Sequence, residues 1–303
     1  MEFVMYVGLP GSGKSWHARM YALQNKAVII SSDAIRAELW GDEAEQGDPS
    51  KVFRIARRRV CDAMKEGKNV ILDATNMNAK KRASFMRDLK MFMEGYTKVC
   101  IVMATPYEVC LKRDAMRSRH VGKEVISKMR ASFQMPYYNE GWDRIYIEYC
   151  SDCEYPVDGD LEEMEATFDQ KNKHHTLTLG DHHDAAYYTA IAHQFGDMVQ
   201  HAAVYHDIGK LFTQTFDDDG EAHYYAHDSV GAYEFITLDT SKETSEEVVI
   251  SVAALITWHM LPYHFSGQED AEEKVYEWCA KRGFSQMFAS DLWALHLCDV
   301  AAH

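Results

Sequence analysis

Absences narrow this sequence quickly. Its 303 residues contain no apolar run approaching the roughly 20 residues that a membrane-spanning helix needs. The opening, Met1-Glu2-Phe3, lacks the cationic start of a secretory signal, and an apolar strand begins so early that no transit peptide fits before it. A cytoplasmic protein without membrane contact is the expectation. Repeats and low-complexity tracts are missing too. Cysteine is sparse: seven residues, an odd number, lie scattered among apolar neighbours, which fits reduced thiols in a cytosol. Cys150-x-x-Cys153 is the one close pair. A zinc knuckle needs a second pair at suitable spacing, which is absent. The pair therefore reads as two incidental thiols at a domain edge, with a redox pair as the alternative.

Lysine and arginine are scarce in the second half. Residues 1–150 carry 25 of them against 18 Asp and Glu, a balance of +7, whereas residues 151–303 carry 7 against 29, a balance of −22. Thirteen of the fifteen histidines also fall after residue 150. So uneven a chain reads as two domains with different chemistry. A basic half suits a polyanionic substrate, and an acidic, histidine-rich half suits metal ions.

The strongest pattern is Gly8-Leu9-Pro10-Gly11-Ser12-Gly13-Lys14-Ser15. An apolar run, Phe3–Val7, precedes it and a helix start, Trp16-His17-Ala18-Arg19, follows. Strand, glycine loop and helix in that order form a P-loop: backbone N–H groups of Gly8, Gly11, Ser12 and Gly13 turn inward toward phosphate oxygens. Lys14 reaches the β- and γ-phosphates of ATP or another NTP, and the Ser15 hydroxyl ligates Mg²⁺. Further strand-like runs at 27–30, 70–72, 99–103 and 145–147 alternate with amphipathic stretches, predicting an α/β domain with a parallel sheet flanked by helices over residues 1–150. Ligands sit at the carboxyl ends of such strands. Asp33, just past the second run, is placed to accept a proton from an attacking hydroxyl, or to cap a helix; Arg36, one turn on, is placed to hold a second phosphate. Asp73, at the end of the third run, would help hold Mg²⁺. Thr75 and Asn76 would orient substrate or, with Asn78, cap the next helix. After the fourth run a helix is predicted through Leu111–Arg119, with Arg113 and Arg117 sharing a face as lid arginines over the phosphoryl group. Arg54, Arg57, Arg58 and Arg59 cluster on another helix, either solvated or facing a nucleic-acid backbone.

The order P-loop, S-D-x-x-R, D-A-T-N-x-N and arginine-bearing lid resembles the 5′-polynucleotide kinase domain of phage and bacterial end-healing enzymes. The resemblance implies Asp33 as general base for a 5′-hydroxyl, Arg36 as ligand of the acceptor's 3′-side phosphate, and Arg117 or its neighbour Arg113 on the donor phosphates. One departure stands out: the phage enzyme has Asp directly before Thr-Asn, whereas here Ala74 intervenes after Asp73. Broader P-loop kinases share that arrangement, and some act on small molecules.

An acidic stretch over 151–172 reads as a linker. Residues 173–303 read as an all-α domain carrying His182, His183, His206-Asp207-Ile208-Gly209-Lys210, His223, His227, His259 and Asp299. Imidazole nitrogens and carboxylate oxygens suit one borderline divalent metal ion. His182…His206-Asp207…Asp299 resembles the H…HD…D signature of HD-domain phosphohydrolases; Gly180-Asp181-His182 favours His182 over His183 as first ligand. The resemblance implies His227 and His259 as ligands of a second ion, and the run from Lys210 to His227 is similar to HD domains fused to tRNA nucleotidyltransferases. It implies one or two ions among Mn²⁺, Ni²⁺, Co²⁺, Fe²⁺ and Zn²⁺. Lys210 is either a cation near the transferring group or an exposed helix-end lysine.

Adding phosphate with one half and removing it with the other is futile on one group but complementary on two ends of a broken strand. The first expectation is a 5′-polynucleotide kinase joined to an HD-type 3′-phosphatase or 2′,3′-cyclic phosphodiesterase, acting on RNA or DNA ends beside a separate ligase. The alternative is a nucleoside or nucleotide kinase joined to a nucleotidase.

Overall fold

A computed structural model of the chain describes residues 1–42, 47–117, 120–171 and 177–303. It divides into two compact units, one of residues 1–129 with 140–153 and one of residues 130–139 with 154–303. The expected boundary at 172/173 and Arg119 of the expected lid lie outside the described residues.

The first unit is an α/β sandwich on a five-stranded parallel sheet, order β2-β3-β1-β4-β5: β1 Glu2–Val7, β2 Ala27–Ser31, β3 Asn69–Asp73, β4 Thr97–Ala104 and β5 Arg144–Tyr149. The central β1 is buried from Phe3 to Val7, which explains its unbroken apolar run. The edge strand β5 alternates, burying Ile145 and Ile147 only. Helices α1 Lys14–Asn25, α2 Ser32–Trp40, α3 Pro49–Lys65, α4 Ala79–Leu89, α5 Tyr107–Ala115 and α6 Lys123–Arg130 connect the strands. Parallel neighbours require such crossovers. The loops after β1, β2, β3 and β4 therefore gather at one end of the sheet.

The predicted helix through residue 119 stops at Ala115, capped by Met116. Asp114, buried, accepts from the Val121 and Gly122 backbone N–H groups at 2.9–3.1 Å and folds the chain back on itself. Arg113 is thus on the helix and Arg117 beyond it, so the two do not share a helical face. Cys150 and Cys153 are not incidental thiols: they are joined in a disulfide at the end of β5, their Cα atoms 5.6 Å apart.

Among the described residues the second unit is helical apart from an isolated bridge between Asp169 and Thr178 and one antiparallel hairpin, β6 Gln214–Phe216 with β7 Ala222–Tyr224, which interrupts the expected all-α run. Its helices are α7 Asp158–Thr167, α8 Leu179–Ala192, α9 Asp197–Tyr205, α10 Lys210–Thr213, α11 His227–Ile236, α12 Asp239–Glu243, α13 Glu246–Trp258, α14 Ala271–Lys281 and α15 Gln286–Ala301. Residues 246–265 do form a stretch apolar and long enough, at 20 residues, to cross a membrane. Their apolar side chains lie inside the unit: Val249, Ile250 and Val252 through Thr257 are buried, so α13 is the core helix.

Candidate active sites

Two sets of functional side chains assemble, one in each unit. In the first, the loop after β1 is gripped from both neighbouring strands. The Gly8 N–H donates to the Thr75 carbonyl at 3.0 Å, beyond β3, and the buried Thr105 hydroxyl, beyond β4, donates to the Ser12 carbonyl at 3.0 Å. Gly11 has φ +85°, and a Cβ there would lie 2.4 Å from the Cys110 carbonyl oxygen on α5, so no side chain fits. Lys14 is buried, donating to the Leu9 carbonyl at 2.6 Å and approaching Ser12 Oγ at 3.4 Å. Burial pushes its ammonium pKa down. The charges of Asp73 and Asp33 act against that shift, and that of Arg117 acts with it. Ser15 is exposed on the first turn of α1, and Asp73 is buried at the end of β3.

Several side chains resolve alternatives left by the sequence. Ser31, not Asp33, caps α2, accepting from Ala34 N–H at 3.4 Å. Asp33 is instead exposed and accepts from Arg36 Nη1 at 2.6 Å, so the two share one face as expected. Asn78 caps α4 through Lys81 N–H. Asn76, at φ +47°, donates its amide to the Tyr6 carbonyl at 2.8 Å, bracing the end of β1. Arg113 lies against the P-loop, 3.5 Å from the Gly11 carbonyl, with its other nitrogen on Cys150 Sγ at 3.0 Å and Asp152 at 3.1 Å. The arginines of α3 are largely matched: Arg57 with Asp88, Arg59 with Glu38 and Arg58 with Asp62. Sequence reasoning passed over Thr105 and Asp114; position just after a strand was the available signal for the first.

In the second unit, His182 from α8, His206 and Asp207 after α9, and Asp299 on α15 present ligand atoms all within 4.8 Å of one another, and Asp207, His227 and His259 form a second such group. Asp207 belongs to both. Its Oδ2 faces His182 Nε2 at 3.5 Å and His206 Nε2 at 3.6 Å, while its Oδ1 faces His227 Nε2 at 3.2 Å and His259 Nε2 at 3.4 Å. Each of the four imidazoles places Nδ1 2.7–3.3 Å from a backbone carbonyl, of Ala302, Ala203, Tyr224 and Ile256 in turn. A carbonyl only accepts, so Nδ1 carries the proton and, in a neutral ring, Nε2 turns a lone pair inward. Yet His182 Nε2 is 3.1 Å from His206 Nε2, and His227 Nε2 is 3.2 Å from His259 Nε2. Lone pairs so close to each other and to carboxylates repel unless a cation lies among them. Asp299 Oδ1, buried, has no hydrogen-bond partner among the described residues, which points the same way. The donor set fits one or two divalent transition metal ions.

Lys210 is buried and not an exposed helix-end lysine. Its Nζ lies 2.5 Å from Asp207 Oδ2 and 2.9 Å from Gln170 Oε1, a residue the sequence did not flag. Burial works against the Asp207 carboxylate, but Lys210, His206, His227 and His259 together hold its pKa well below the usual range. Gly209 is required by close packing, since a Cβ would lie 2.0 Å from the His227 carbonyl oxygen. His183 is not among the grouped ligand atoms: its Nδ1 lies 3.1 Å from Glu165, and its ring packs edge-on against His206 with centroids 5.3 Å apart.

A family model described as an AAA domain, AAA_33, matches residues 3–136. Transcription factor bHLH140 of Arabidopsis thaliana is 27% identical over 155 residues, 48% of this chain and 16% of its own length. A protein of Acanthamoeba polyphaga mimivirus, named "Putative bifunctional polynucleotide phosphatase/kinase", is 26% identical over 48% of this chain and 32% of its own. The L-seryl-tRNA(Sec) kinase of Methanococcus maripaludis is 27% identical over 46% of this chain and 55% of its own. The chain thus spans between about a sixth and just over half of the length of these curated relatives. The N-terminal half is a P-loop domain of the kinase type, homologous to polynucleotide and other kinases, and its loop implies an NTP with Mg²⁺.

Proposed function

We propose that the chain heals broken nucleic-acid ends from two sites. The kinase domain, about residues 1–150, transfers the γ-phosphate of ATP or another NTP to a 5′-hydroxyl end. After the linker 151–172, residues 173–303 act as an HD-type phosphohydrolase that removes a 3′-phosphate or 2′,3′-cyclic phosphate. A cytoplasmic setting, RNA or DNA ends as substrate and a separate ligase as the next enzyme complete the reading.

In the first site Asp33 takes the proton of the attacking 5′-hydroxyl, and Arg36 binds the acceptor's phosphate. The P-loop amides and Lys14 hold the donor phosphates, Ser15 and Asp73 the Mg²⁺, and Arg117 with Arg113 the transferring group. Thr75 and Asn76 shape the acceptor side through the loop they fix. In the second site His182, His206, Asp207 and Asp299 would hold one ion, and Asp207, His227 and His259 another. Such an ion supplies hydroxide at neutral pH and offsets charge on the phosphoryl oxygens. Lys210 keeps Asp207 ionised and oriented.

The observation that carries this reading is the coexistence, in one chain, of a kinase-type P-loop and a buried carboxylate shared by two pairs of inward-facing imidazoles. The name of the mimivirus relative supports the polynucleotide acceptor. The test gives the full chain γ-labelled ATP with 5′-hydroxyl oligonucleotides, and separately 3′-phosphate and 2′,3′-cyclic phosphate oligonucleotides with Mn²⁺, using RNA and DNA side by side. Label on the 5′ end and phosphate or ester cleavage at the 3′ end are expected. Label on free nucleosides alone would overturn the polynucleotide reading.

One observation favours a second reading, a nucleoside or nucleotide kinase joined to a nucleotidase. Three of the four α3 arginines that would track a strand, Arg57, Arg58 and Arg59, are matched by Asp88, Asp62 and Glu38, which leaves them less charge for a phosphate backbone.

A further inference from the structure

The signature His182…His206-Asp207…Asp299 leaves out a histidine that lies on the same oxygen. His303 Nε2 is 3.3 Å from Asp299 Oδ1. The same atom faces His182 Nε2 at 3.3 Å and His206 Nε2 at 3.4 Å. Three imidazole nitrogens from three segments therefore converge on one buried carboxylate oxygen that has no hydrogen-bond partner among the described residues. Asp299 and His303 are four residues apart, so the last turn of α15 and the residue beyond it bring them onto one side. The His303 and His182 rings lie 5.2 Å apart, centroid to centroid. The other carboxylate oxygen is taken: Asp299 Oδ2 accepts from the Tyr263 hydroxyl at 2.9 Å. Tyr263 thus turns Oδ1, and not Oδ2, toward the nitrogens. The His303 side chain is 27% exposed while those of His182 and His206 are buried, which puts it on the solvent side of the group.

We propose that His303 is a further metal ligand of the first group, closing its solvent side, and that Tyr263 is a positioning residue that orients Asp299 for it. The inference rests on the metal reading of the second site. Its chemistry is an imidazole nitrogen added to a shell of two imidazoles and two carboxylates, a set suited to a borderline divalent ion. An ordinary surface ion pair between His303 and Asp299 is the competing account. It would serve local stability and leave metal affinity and spectrum alone.

Co²⁺ titration of the metal-stripped full chain, followed by visible absorption and by isothermal calorimetry, separates the two. For the wild type, saturable Co²⁺ binding with ligand-field bands is expected. In His303→Ala, affinity at one site falls roughly tenfold or more and its bands shift, as loss of a ligand or of its support does in metal sites. His303→Gln behaves alike, because an amide does not replace the imidazole nitrogen. Tyr263→Phe weakens the same site by a smaller factor and leaves the bands nearly in place. Because His303 is partly exposed, its variants should keep the wild-type circular dichroism and metal-free melting temperature, and this is checked first. Wild-type affinity and bands in both folded His303 variants would overturn the proposal while leaving the metal reading intact. A wild-type chain that binds no Co²⁺ would overturn the metal reading and this proposal with it.

Discussion

At Gly11 two constraints coincide: a left-handed backbone at φ +85° and a neighbouring carbonyl 2.4 Å from where a Cβ would sit. The obstacle is backbone of α5, which cannot rotate away as a side chain would. Gly11→Ala should therefore distort the loop at a cost of order 1–3 kcal/mol, and NTP affinity should fall about tenfold or more. Equilibrium binding of a fluorescent NTP analogue measures this, with Gly159→Ala, which meets open space, as the unaffected control. Asp207 is the counterpart in the second unit. It offers one oxygen to each histidine pair, so Asp207→Asn should lower the metal content of both groups together, whereas His227→Ala should lower one. Metal analysis after dialysis against Mn²⁺ distinguishes the two patterns; equal loss from both variants would contradict a shared carboxylate. What was legible here follows from locality. The P-loop is eight consecutive residues, and its fold is fixed by local backbone geometry. Gly180-Asp181-His182 likewise favoured His182, and the structure puts that residue in the cluster and His183 against Glu165. Gln170 and Tyr263 were not legible, because their partners lie 40 and 36 residues away and the pattern that joins them is three-dimensional; His303 stands four residues after Asp299, a spacing that was available and passed over.

At the scale of elements, the loop after β3 carries Asp73, Thr75 and Asn76, and one buried arginine supports it. Arg82 on α4 donates to the Asn76 and Met77 carbonyls at 2.8 and 3.0 Å and forms a two-pronged pair with Glu140 at 2.8 and 2.6 Å. Its side chain is 0% exposed and that of Glu140 is 5% exposed. Removing one charge of such a pair strands the other in a low-dielectric interior, so Arg82→Met should cost about 3–5 kcal/mol. Arg82→Met with Glu140→Leu should recover much of that loss, since no isolated charge remains. Urea denaturation followed by circular dichroism measures both; a double variant no better than the single would show that the carbonyl contacts dominate. The strands were readable because their apolar runs show, unbroken in the central β1 and alternating in the edge strand β5. The end of α5 was not. Apolar and basic residues continue the helical spacing past Ala115, but the buried Asp114 carboxylate finds backbone donors at Val121 and Gly122 and turns the chain. That tertiary contact overrides the local pattern. The hairpin β6–β7 was hidden for a related reason. Its strands are three residues each, too short for an alternating pattern to show.

For the whole molecule, the charge asymmetry and the two compact units make one demand on the two chemistries: each must be removable without the other. The candidate kinase residues all come from residues 1–129 with 140–153, and the candidate metal ligands all come from residues 154–303. Side chains that share no partner contribute independently. Lys14→Ala removes the cation proposed to hold the donor phosphates and should cut γ-phosphate transfer at least about 10²-fold, leaving Mn²⁺-dependent release of 3′-phosphate at the wild-type rate. Asp207→Asn should do the reverse. The assay is a single oligonucleotide bearing a 5′-hydroxyl and a 3′-phosphate, with both ends followed in one reaction by electrophoresis. The substrate and its three products are distinguishable, so each variant reports on both ends at once. If Asp207→Asn also abolished 5′-phosphorylation in a chain that still melts cooperatively, the two sites would be coupled steps of one reaction, and end healing by two independent sites would be the wrong description.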